Sequence, residues 1–322
     1  MNEFELIGRY FRRPVQDPAV RVGNGDDAAV VRVAPGCELA ISVDMLVEGR
    51  HFLGDVDPEA LGHKTLAVNL SDLAAMGAKP RWALLAGALP RVDEAWLAAF
   101  TRGFFALADR YDVTLIGGDT TRGPLNLCVT IIGELPAGAA LTRAGAKSGD
   151  DLYVSGTLGE AALALAAMQG RTQLDDAALA ALRQRLLRPE PRIALGQSLR
   201  GIATAALDLS DGLTGDLAHI LSASKVGATI LLDALPLPTA LTTRLVGGER
   251  GLALQCALAG GDDYELCFTV PPAMRAAVAG VAQALALPVT RIGAITAEAG
   301  LVVRDAQGDA LPALPRAWDH FA

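Results

Sequence analysis

The sequence is poor in lysine, and its few lysines are misplaced for a common nucleotide site. Only four occur in 322 residues, at Lys64, Lys79, Lys147 and Lys225, and none of them follows a glycine. A P-loop requires a lysine directly after its last glycine, so the sequence excludes a Walker A motif. The catalytic-loop signature of the protein kinases is also absent. Any phosphoryl transfer by this chain must therefore depend on metal ions and arginine.

Cysteine, histidine and positive charge are also scarce. The four cysteines are Cys37, Cys128, Cys256 and Cys267, which form no Cys-x-x-Cys pair and no disulfide-like framework. We expect them to be reduced core residues, and the lack of a His/Cys cluster disfavours zinc. The formal net charge of -8 and the pI of about 5.1 disfavour a nucleic-acid partner, because binding to a phosphate backbone depends on clustered cations.

Long apolar runs are missing as well. The sequence has no run of about 18 apolar residues, and residues 1–14 contain no apolar core of signal-peptide length. We therefore expect a cytoplasmic protein with no membrane partner. Hydrophobic residues still make up 51% of the chain, which is enough to form a core in each of two ordinary domains.

The order of predicted elements indicates two mixed domains. In the first half, we predict strands at 39–46, 82–89, 113–116 and 125–135 and helices at 3–13, 58–76 and 93–111. In the second half, we predict strands at 151–155, 204–209, 228–232, 266–270, 290–296 and 301–304 and helices up to 168 and at 175–187, 191–199 and 217–222. Residues 136–150 are rich in alanine, glycine and turn formers and separate the two sets. We predict domains 1–137 and 138–322 with an α/β (α+β) fold, in which helices cover mixed sheets.

Residues 117–123 have the composition of a metal or phosphate site. They read Gly-Gly-Asp-Thr-Thr-Arg-Gly after an apolar run, which predicts a tight glycine turn that projects Asp119 from the end of a strand. A carboxylate, two hydroxyls and an arginine can hold a metal ion and the phosphate that it neutralises. A capped turn explains the same residues equally well, so the segment alone leaves both interpretations open.

Further aspartates occupy similar positions elsewhere in the chain. They are Asp26 and Asp27 beside Gly25, Asp44 in a strand, Asp72 near Asn69 on a helix, and Asp208 and Asp211 after another strand. Residues 23–28 match the dinucleotide pattern G-x-G-x-x-G/A, but a strand-like run follows them instead of a helix, and we reject the match. Together, these carboxylates predict a cage for several magnesium ions, which prefer hard oxygen ligands.

These motifs recur in a fixed order across nearly the whole chain. They lie at 25–27, 42–44 with His51, 69–77, 117–123, 141–143, 208–212 and 260–266. In this order the chain resembles the thiamine-monophosphate kinases, of the superfamily that includes aminoimidazole ribonucleotide synthetase and selenophosphate synthetase. So many ordered motifs are highly specific.

The resemblance implies a two-domain fold like that of aminoimidazole ribonucleotide synthetase and a homodimer in which the N-terminal sheets of two copies pair. It implies phosphorylation of thiamine monophosphate to thiamine diphosphate with ATP and magnesium. Transferred by motif, the magnesium ligands are Asp27, Ser42, Val43, Asp44, Asp72, Asp119, Asp208 and Asp211. The ATP contacts are Gly118, Asp119, Arg143 and Ser210, the thiamine contacts are His51, Asp262 and Trp318, and catalysis rests on Asp44, Asp72, Asp119 and Arg143. Val43 stands where threonine is common, and Asp262 stands where glutamate is common.

The charge of the substrates indicates the mechanism. A phosphate monoester has its second pKa near ~6, so the acceptor is already mostly an anion and requires no general base. The obstacle is repulsion between two anions, which bridging magnesium ions and Arg143 would offset during a direct in-line transfer. We therefore expect His51 to position the substrate rather than to remove a proton.

Two other functions stay open. The chain can be another ATP-dependent synthetase of the superfamily, or a magnesium–nucleotide sensor that keeps the aspartates but does not turn over. Selenophosphate synthesis is disfavoured, because no cysteine precedes Cys37 where that chemistry requires an N-terminal nucleophile.

Overall fold

A computed structural model describes residues 3–318 of the chain. These residues fold into two compact units. The first unit runs to Leu73 and resumes over Ala78–Gly138, and the second takes Ala74–Gly77 and continues from Ala139. The predicted domains 1–137 and 138–322 stay a prediction.

The first unit contains mostly strands, with two long helices. Its helices are α1 (Glu3–Leu6), which continues as a π-helical turn over Ile7–Phe11, α2 (Pro58–Ala75) and α3 (Glu94–Arg110). Its strands are β1 (Val20–Val22), β2 (Val30–Val31), β3 (Cys37–Val47), β4 (Lys79–Leu89), β5 (Thr114–Arg122) and β6 (Asn126–Pro136).

Four of these strands form a mixed sheet in the order β3, β6, β4, β5. Strand β6 pairs antiparallel with β3 and with β4, while β4 and β5 run parallel. Leu66, Leu70 and Leu73 form an apolar stripe on α2 and are at most 1% exposed. Leu73 lies against Gly133 of β6, so this stripe faces the sheet.

Strand β3 carries different side chains on its two faces. On one face Ala40 and Leu46 are buried, and Ser42 and Asp44 lie between them half-buried. The other face carries Leu39, Ile41, Val43 and Met45, which are 39%, 62%, 58% and 51% exposed. We call these four residues the β3 stripe. Since β3 is an edge strand, the stripe forms an exposed apolar row on one face of the sheet, along its outermost strand.

The second unit alternates strands and helices. Its strands are β7 (Asp151–Ser155), β8 (Ala205–Asp208), β9 (Gly227–Leu231), β10 (Leu266–Val270), β11 (Val289–Thr296) and β12 (Gly300–Arg304). Its helices are α4 (Glu160–Met168), α5 (Asp176–Leu187), α6 (Ile193–Leu199), α7 (Leu213–Ser224), α8 (Thr239–Leu245), α9 (Arg250–Ala259) and α10 (Arg275–Leu285), with 3-10 turns at Leu232–Ala234 and Pro272–Met274.

The strands of the second unit form one six-stranded sheet in the order β12, β9, β11, β7, β10, β8. Neighbours are antiparallel except for β12 and β9, which are parallel. Strands β7, β8 and β10 are buried at every position, as expected for strands covered on both faces. The sheet therefore holds the ends of β8 and β10 in fixed places beside each other.

The predicted mixed α/β class is confirmed, and most predicted elements are present. Strands β7 and β10 have the predicted bounds, while α7 is longer than predicted. Three helices were not predicted, namely α8, α9 and α10. In α10, for example, Val278 is the buried residue and alanines occupy much of the rest.

The structure bears on the predictions about the cysteines and about membrane-spanning segments. All four cysteines are free; Cys256 and Cys267 are buried, whereas Cys37 and Cys128 are partly exposed. Within residues 3–318, no helix is both long and apolar enough to cross a bilayer.

Candidate active site

The predicted glycine turn at residues 117–118 is wrong, because β5 continues through these residues to Arg122. The pairing of β5 with β4 skips Ile116, which forms an irregularity in the ladder. Gly118 has a φ of +149°, and a Cβ there would lie 1.9 Å from the carbonyl oxygen of Leu85. The glycine is needed because β4 approaches closely, and this long-range contact replaces the predicted turn. Asp119 is exposed and lies inside the strand, opposite Ala86.

Two predicted ligands meet between β3 and α2. The Ser42 hydroxyl donates to Asp72 Oδ2 at 2.5 Å. The backbone N–H of Asp44 donates to Asn69 Oδ1 at 3.0 Å, and Asn69 Nδ2 donates to the carbonyl of Thr65 at 3.0 Å. Asn69 is 1% exposed, so its side-chain amide lies within the core. This buried amide fixes the strand to the helix and sets Asp44 beside the Ser42–Asp72 pair.

The donor set at this place fits magnesium. A hydroxyl and a carboxylate oxygen in contact are hard ligands of the type that magnesium prefers. The Val43 side chain belongs to the β3 stripe, so only its main-chain carbonyl is suited to the ligand role that the resemblance implied. A valine in place of threonine is compatible with such a role.

The other predicted ligands of the first unit are Asp27, in the turn between β1 and β2, and Asp119 in β5. Asp26 and Asp27 lie in the turn between β1 and β2, where the Asp27 N–H donates to Asp26 Oδ1 at 2.9 Å. Asn24 anchors this turn to β5, because its side-chain amide donates to the carbonyl of Leu115 at 3.4 Å. Strand β2 follows the turn instead of a helix, as the rejection of the dinucleotide motif required.

The sheet order separates the predicted ligands of β3 from Asp119 in β5. Strands β3 and β5 are its opposite edges, so Asp44 and Asp119 are three strand spacings apart, at about 4.8 Å each. Among the described residues, no group of three or more His, Cys, Asp and Glu side chains is arranged to hold a metal ion. The magnesium cage thus remains a prediction, and its predicted ligands include a hydroxyl and a carbonyl besides carboxylates.

His51 has a defined tautomer. Its Nδ1 accepts the backbone N–H of Val47 at 3.0 Å, so the lone pair of Nδ1 is in use. In the neutral ring the proton is then on Nε2, which can donate a hydrogen bond but cannot accept a proton. This geometry suits a residue that holds an anion better than one that acts as a base.

In the second unit, the turn after β8 is held from both sides. Asp208 ends the strand and is buried, while Ser210 is exposed. Asp216 Oδ2 accepts the backbone N–H groups of Ser210, Asp211 and Gly212 at 3.0, 3.0 and 3.1 Å. Burial raises the pKa of Asp216 to about 6, although these three hydrogen bonds act in the opposite direction. Asp216 was not predicted as a site residue; its signal is an acid in the first turn of α7 that can reach back past the N-cap.

The same turn contacts both predicted thiamine residues of this unit. The Asp262 N–H donates to the Ser210 carbonyl at 2.8 Å, and the Trp318 N–H donates to the Asp211 carbonyl at 3.3 Å. Asp262 has a φ of +61° and Trp318 is 50% exposed. A non-glycine residue in the left-handed region is strained, and such strain concentrates at functional sites. The structure therefore brings Ser210, Asp211, Asp262 and Trp318 together.

Buried charges support the segment that follows Asp262. Glu265 is fully buried and accepts hydrogen bonds from Ser155 Oγ at 2.5 Å, Arg185 Nη2 at 2.5 Å and Arg192 Nε at 2.6 Å. Asp263 Oδ1 accepts the N–H of Gly159 at 2.8 Å at the start of α4, and burial raises the Asp263 pKa well above its ordinary value. The Asp263 carboxyl group thus takes the Gly159 N–H that a phosphate bound at the start of α4 would need.

Arg143 lies in the loop before β7. Its side chain is exposed, and its carbonyl accepts from Ser224 Oγ at 3.2 Å. The neighbouring carbonyl of Thr142 accepts the N–H of Ala206 in β8 at 2.9 Å. The loop is therefore tied to the strand that ends in Asp208, and Arg143 lies close to the start of that strand.

Family models of both domains match the chain. Residues 25–135 match the AIR synthase related protein, N-terminal domain, and residues 147–306 match the AIR synthase related protein, C-terminal domain. Together these matches define the chain as a two-domain AIR synthase related protein, which confirms the predicted architecture.

Individual relatives show to which family of AIR synthase related proteins the chain belongs. The chain is 52% identical over 325 residues to the thiamine-monophosphate kinase of Salmonella typhimurium, covering 100% of this chain and 98% of the relative. It is similar to the crystal structure of thiamine-monophosphate kinase from Stenotrophomonas maltophilia K279a, with TM-score 0.86, 49% identity and coverage of 96% and 98%. It is also similar to AaThiL complexed with AMPPCP and TMP, with TM-score 0.77, 32% identity and coverage of 90% and 89%. The chain belongs to the thiamine-monophosphate kinase family.

Replacing Asp72 tests the ligand group between β3 and α2. We expect Asp72→Asn to lower turnover by about a hundredfold or more at saturating magnesium, since an amide binds the ion poorly and cannot neutralise it. The fold should persist, because an amide can still accept from Ser42. Steady-state kinetics and thermal melting measure both effects.

Asp57→Asn is the matched control, since Asp57 caps the start of the same helix and asparagine caps equally well. Near-parental turnover of the Asp72 variant would rule out this ligand.

The tautomer of His51 generates a second prediction. We expect His51→Asn to weaken binding of the thiamine substrate, with any acidic limb of the parent's pH–rate profile retained at saturating substrates. His219→Asn, at an exposed position of α7, is the control substitution. If the acidic limb disappears and the maximal rate falls by the ~10²–10⁴ typical of losing a general base, His51 acts in proton transfer instead.

Proposed function

We propose that this chain transfers the γ-phosphoryl group of ATP to thiamine monophosphate and so forms thiamine diphosphate and ADP. The observation that carries the proposal is 52% identity over the full chain to a thiamine-monophosphate kinase. AaThiL, a structural relative, forms a complex with AMPPCP, an ATP analogue, and TMP. A kinase of the proposed specificity must bind ATP and thiamine monophosphate together. The proposal includes a cytoplasmic location, with which four free cysteines are compatible.

The proposal assigns magnesium ligands to both units. In the first unit they are Asp27, Ser42, the Val43 carbonyl, Asp44, Asp72 and Asp119, and in the second they are Asp208 and Asp211. When bound, magnesium would neutralise phosphate charge and orient the reacting groups. The Ser42–Asp72 contact and the Asn69 anchor keep the donor atoms of β3 and α2 in place before any ligand arrives. Catalysis rests on Asp44, Asp72, Asp119 and Arg143.

ATP and the thiamine substrate are assigned to separate residues. Gly118, Asp119, Arg143 and Ser210 contact ATP, and His51, Asp262 and Trp318 contact thiamine monophosphate. The backbone of Leu85 occupies the space where a Gly118 side chain would lie, so Gly118 would contact ATP through its own backbone. The guanidinium of Arg143 can donate two hydrogen bonds to phosphate oxygens. The left-handed backbone at Asp262 fixes the direction of the shorter carboxylate that replaces the family's glutamate.

The transfer itself needs no proton to be removed by the protein. The acceptor phosphate is already mostly ionised near neutral pH, because its second pKa is near ~6. His51 donates through Nε2–H and holds the acceptor, and Arg143 offsets the charge that develops on the transferred group. We infer a direct in-line transfer without a phosphoenzyme.

The proposal also includes a homodimer formed through the β3 stripe. An apolar row of this kind on an edge strand is unusual unless another surface covers it. A second copy of the chain supplies a matching row, since a two-fold interface places the same patch on both sides. The resemblance also implied pairing of the N-terminal sheets.

Release of ADP distinguishes the three candidate functions. We expect the purified protein to release ADP with ATP, magnesium and thiamine monophosphate together, and to form thiamine diphosphate in equal amount. Omitting magnesium or thiamine monophosphate should abolish both products. ADP release that depends on a different phosphorylated acceptor would indicate another synthetase of the superfamily. Tight ATP binding without ADP release under any of these conditions would indicate a sensor.

Substitution in the β3 stripe tests the dimer. We expect Ile41→Glu to raise the dimer dissociation constant by about a hundredfold or more, because like charges that face each other across an interface cost several kcal/mol. Sedimentation velocity at micromolar concentration measures the change. Val92→Glu is the control, since Val92 is 49% exposed in the same unit but lies outside the stripe. An Ile41→Glu protein that sediments as the parent dimer would exclude this interface.

A further inference from the structure

Asp216 makes an unusual set of contacts. One oxygen, Oδ2, accepts three consecutive backbone N–H groups, those of Ser210, Asp211 and Gly212, at 3.0 to 3.1 Å. The residue is 5% exposed and lies in the first turn of α7. An anion bound by successive N–H groups in this way fixes the path of the backbone. The carboxylate therefore determines the conformation of the turn that carries Ser210 and Asp211.

The opposite side of the turn is also fixed. The carbonyls of Ser210 and Asp211 accept the N–H groups of Asp262 and Trp318 at 2.8 and 3.3 Å. Two of the three peptide groups held by Asp216, those that join Ser210 to Asp211 and Asp211 to Gly212, thus also hold the two residues assigned to thiamine monophosphate. A shift of this turn moves both sets of residues together.

We propose that Asp216 is a positioning residue that aligns the nucleotide and metal residues Ser210 and Asp211 with the thiamine residues Asp262 and Trp318. It acts through the backbone of the turn and does not itself contact substrate. The inference rests on the proposed function for the roles of these four residues. The hydrogen bonds that support it are independent of that function.

The negative charge of Asp216 strengthens all three contacts. Hydrogen bonds from N–H groups to a carboxylate are roughly twice as strong as those to a neutral acceptor. Asparagine offers one neutral oxygen of the same reach and brings an N–H2 group that cannot accept. Asp216→Asn therefore preserves the shape of the side chain and weakens all three contacts at once.

The test compares Asp216→Asn with Asp150→Asn. Asp150 is also buried in the second unit and accepts the N–H of Lys147 and the Thr204 hydroxyl, but it does not contact the turn. For Asp216→Asn we expect the KM for ATP and the KM for thiamine monophosphate to rise together, each by about tenfold, since contacts to a charged group are lost. Calorimetric dissociation constants for ATP with magnesium, and for thiamine monophosphate, should rise in parallel. Asp150→Asn should lower the melting temperature with both KM values within about twofold of the parent.

Two kinetic results would overturn the inference. One is a folded Asp216→Asn protein whose KM for ATP and KM for thiamine monophosphate both match the parent. The other is a folded variant in which only one of these two KM values changes. If Asp216→Asn does not fold, hydrogen exchange of the parent decides the matter. The amides of Ser210, Asp211 and Gly212 should exchange as slowly as those of β8, and rapid exchange would contradict the inference. A parent protein that binds both ligands but forms no thiamine diphosphate would instead refute the proposed function.

Discussion

The hydrogen bonds between β3 and α2 are the constraint on which the candidate site of the first unit depends. The buried Asn69 side chain binds the backbone of Asp44, while Asp72 accepts from Ser42. These contacts join an edge strand to the helix that covers its sheet. They hold the side chains of Ser42, Asp44 and Asp72 at one face of β3. The other face of the strand carries the apolar β3 stripe. One strand thereby carries both the candidate polar site and the surface proposed for the dimer.

The second unit uses the same principle with different groups. There the buried carboxylate of Asp216 holds backbone N–H groups, and the carbonyls of the same turn hold Asp262 and Trp318. Glu265 and its arginine partners secure the strand that follows. In both units, buried polar groups bind the backbone, so that site side chains such as Asp44 and Ser210 are presented from a rigid frame.

The local apolar pattern was enough to predict strands that are themselves buried on both faces, and β7 and β10 have the predicted bounds. It was also enough to place Asn69 and Asp72 on one face of a helix, because their spacing is helical and an apolar stripe lies beside them. The glycine turn at Gly118 was predicted wrongly, since the need for glycine there comes from the backbone of β4, which is distant in sequence. Asp216 was missed for a similar reason, because its role depends on a turn that only the folded chain defines. Motif resemblance supplied the remaining assignments.

The dependence of ATP binding on magnesium tests the central claim most directly, namely that carboxylates and hydroxyls hold phosphate through metal ions. Isothermal titration of the parent protein with ATP should show binding in the presence of magnesium and little binding when the ion is removed by a chelator. Asp44→Asn should remove most of this dependence together with most of the affinity. Equal affinity for ATP with and without a divalent ion, in the parent protein, would contradict the claim.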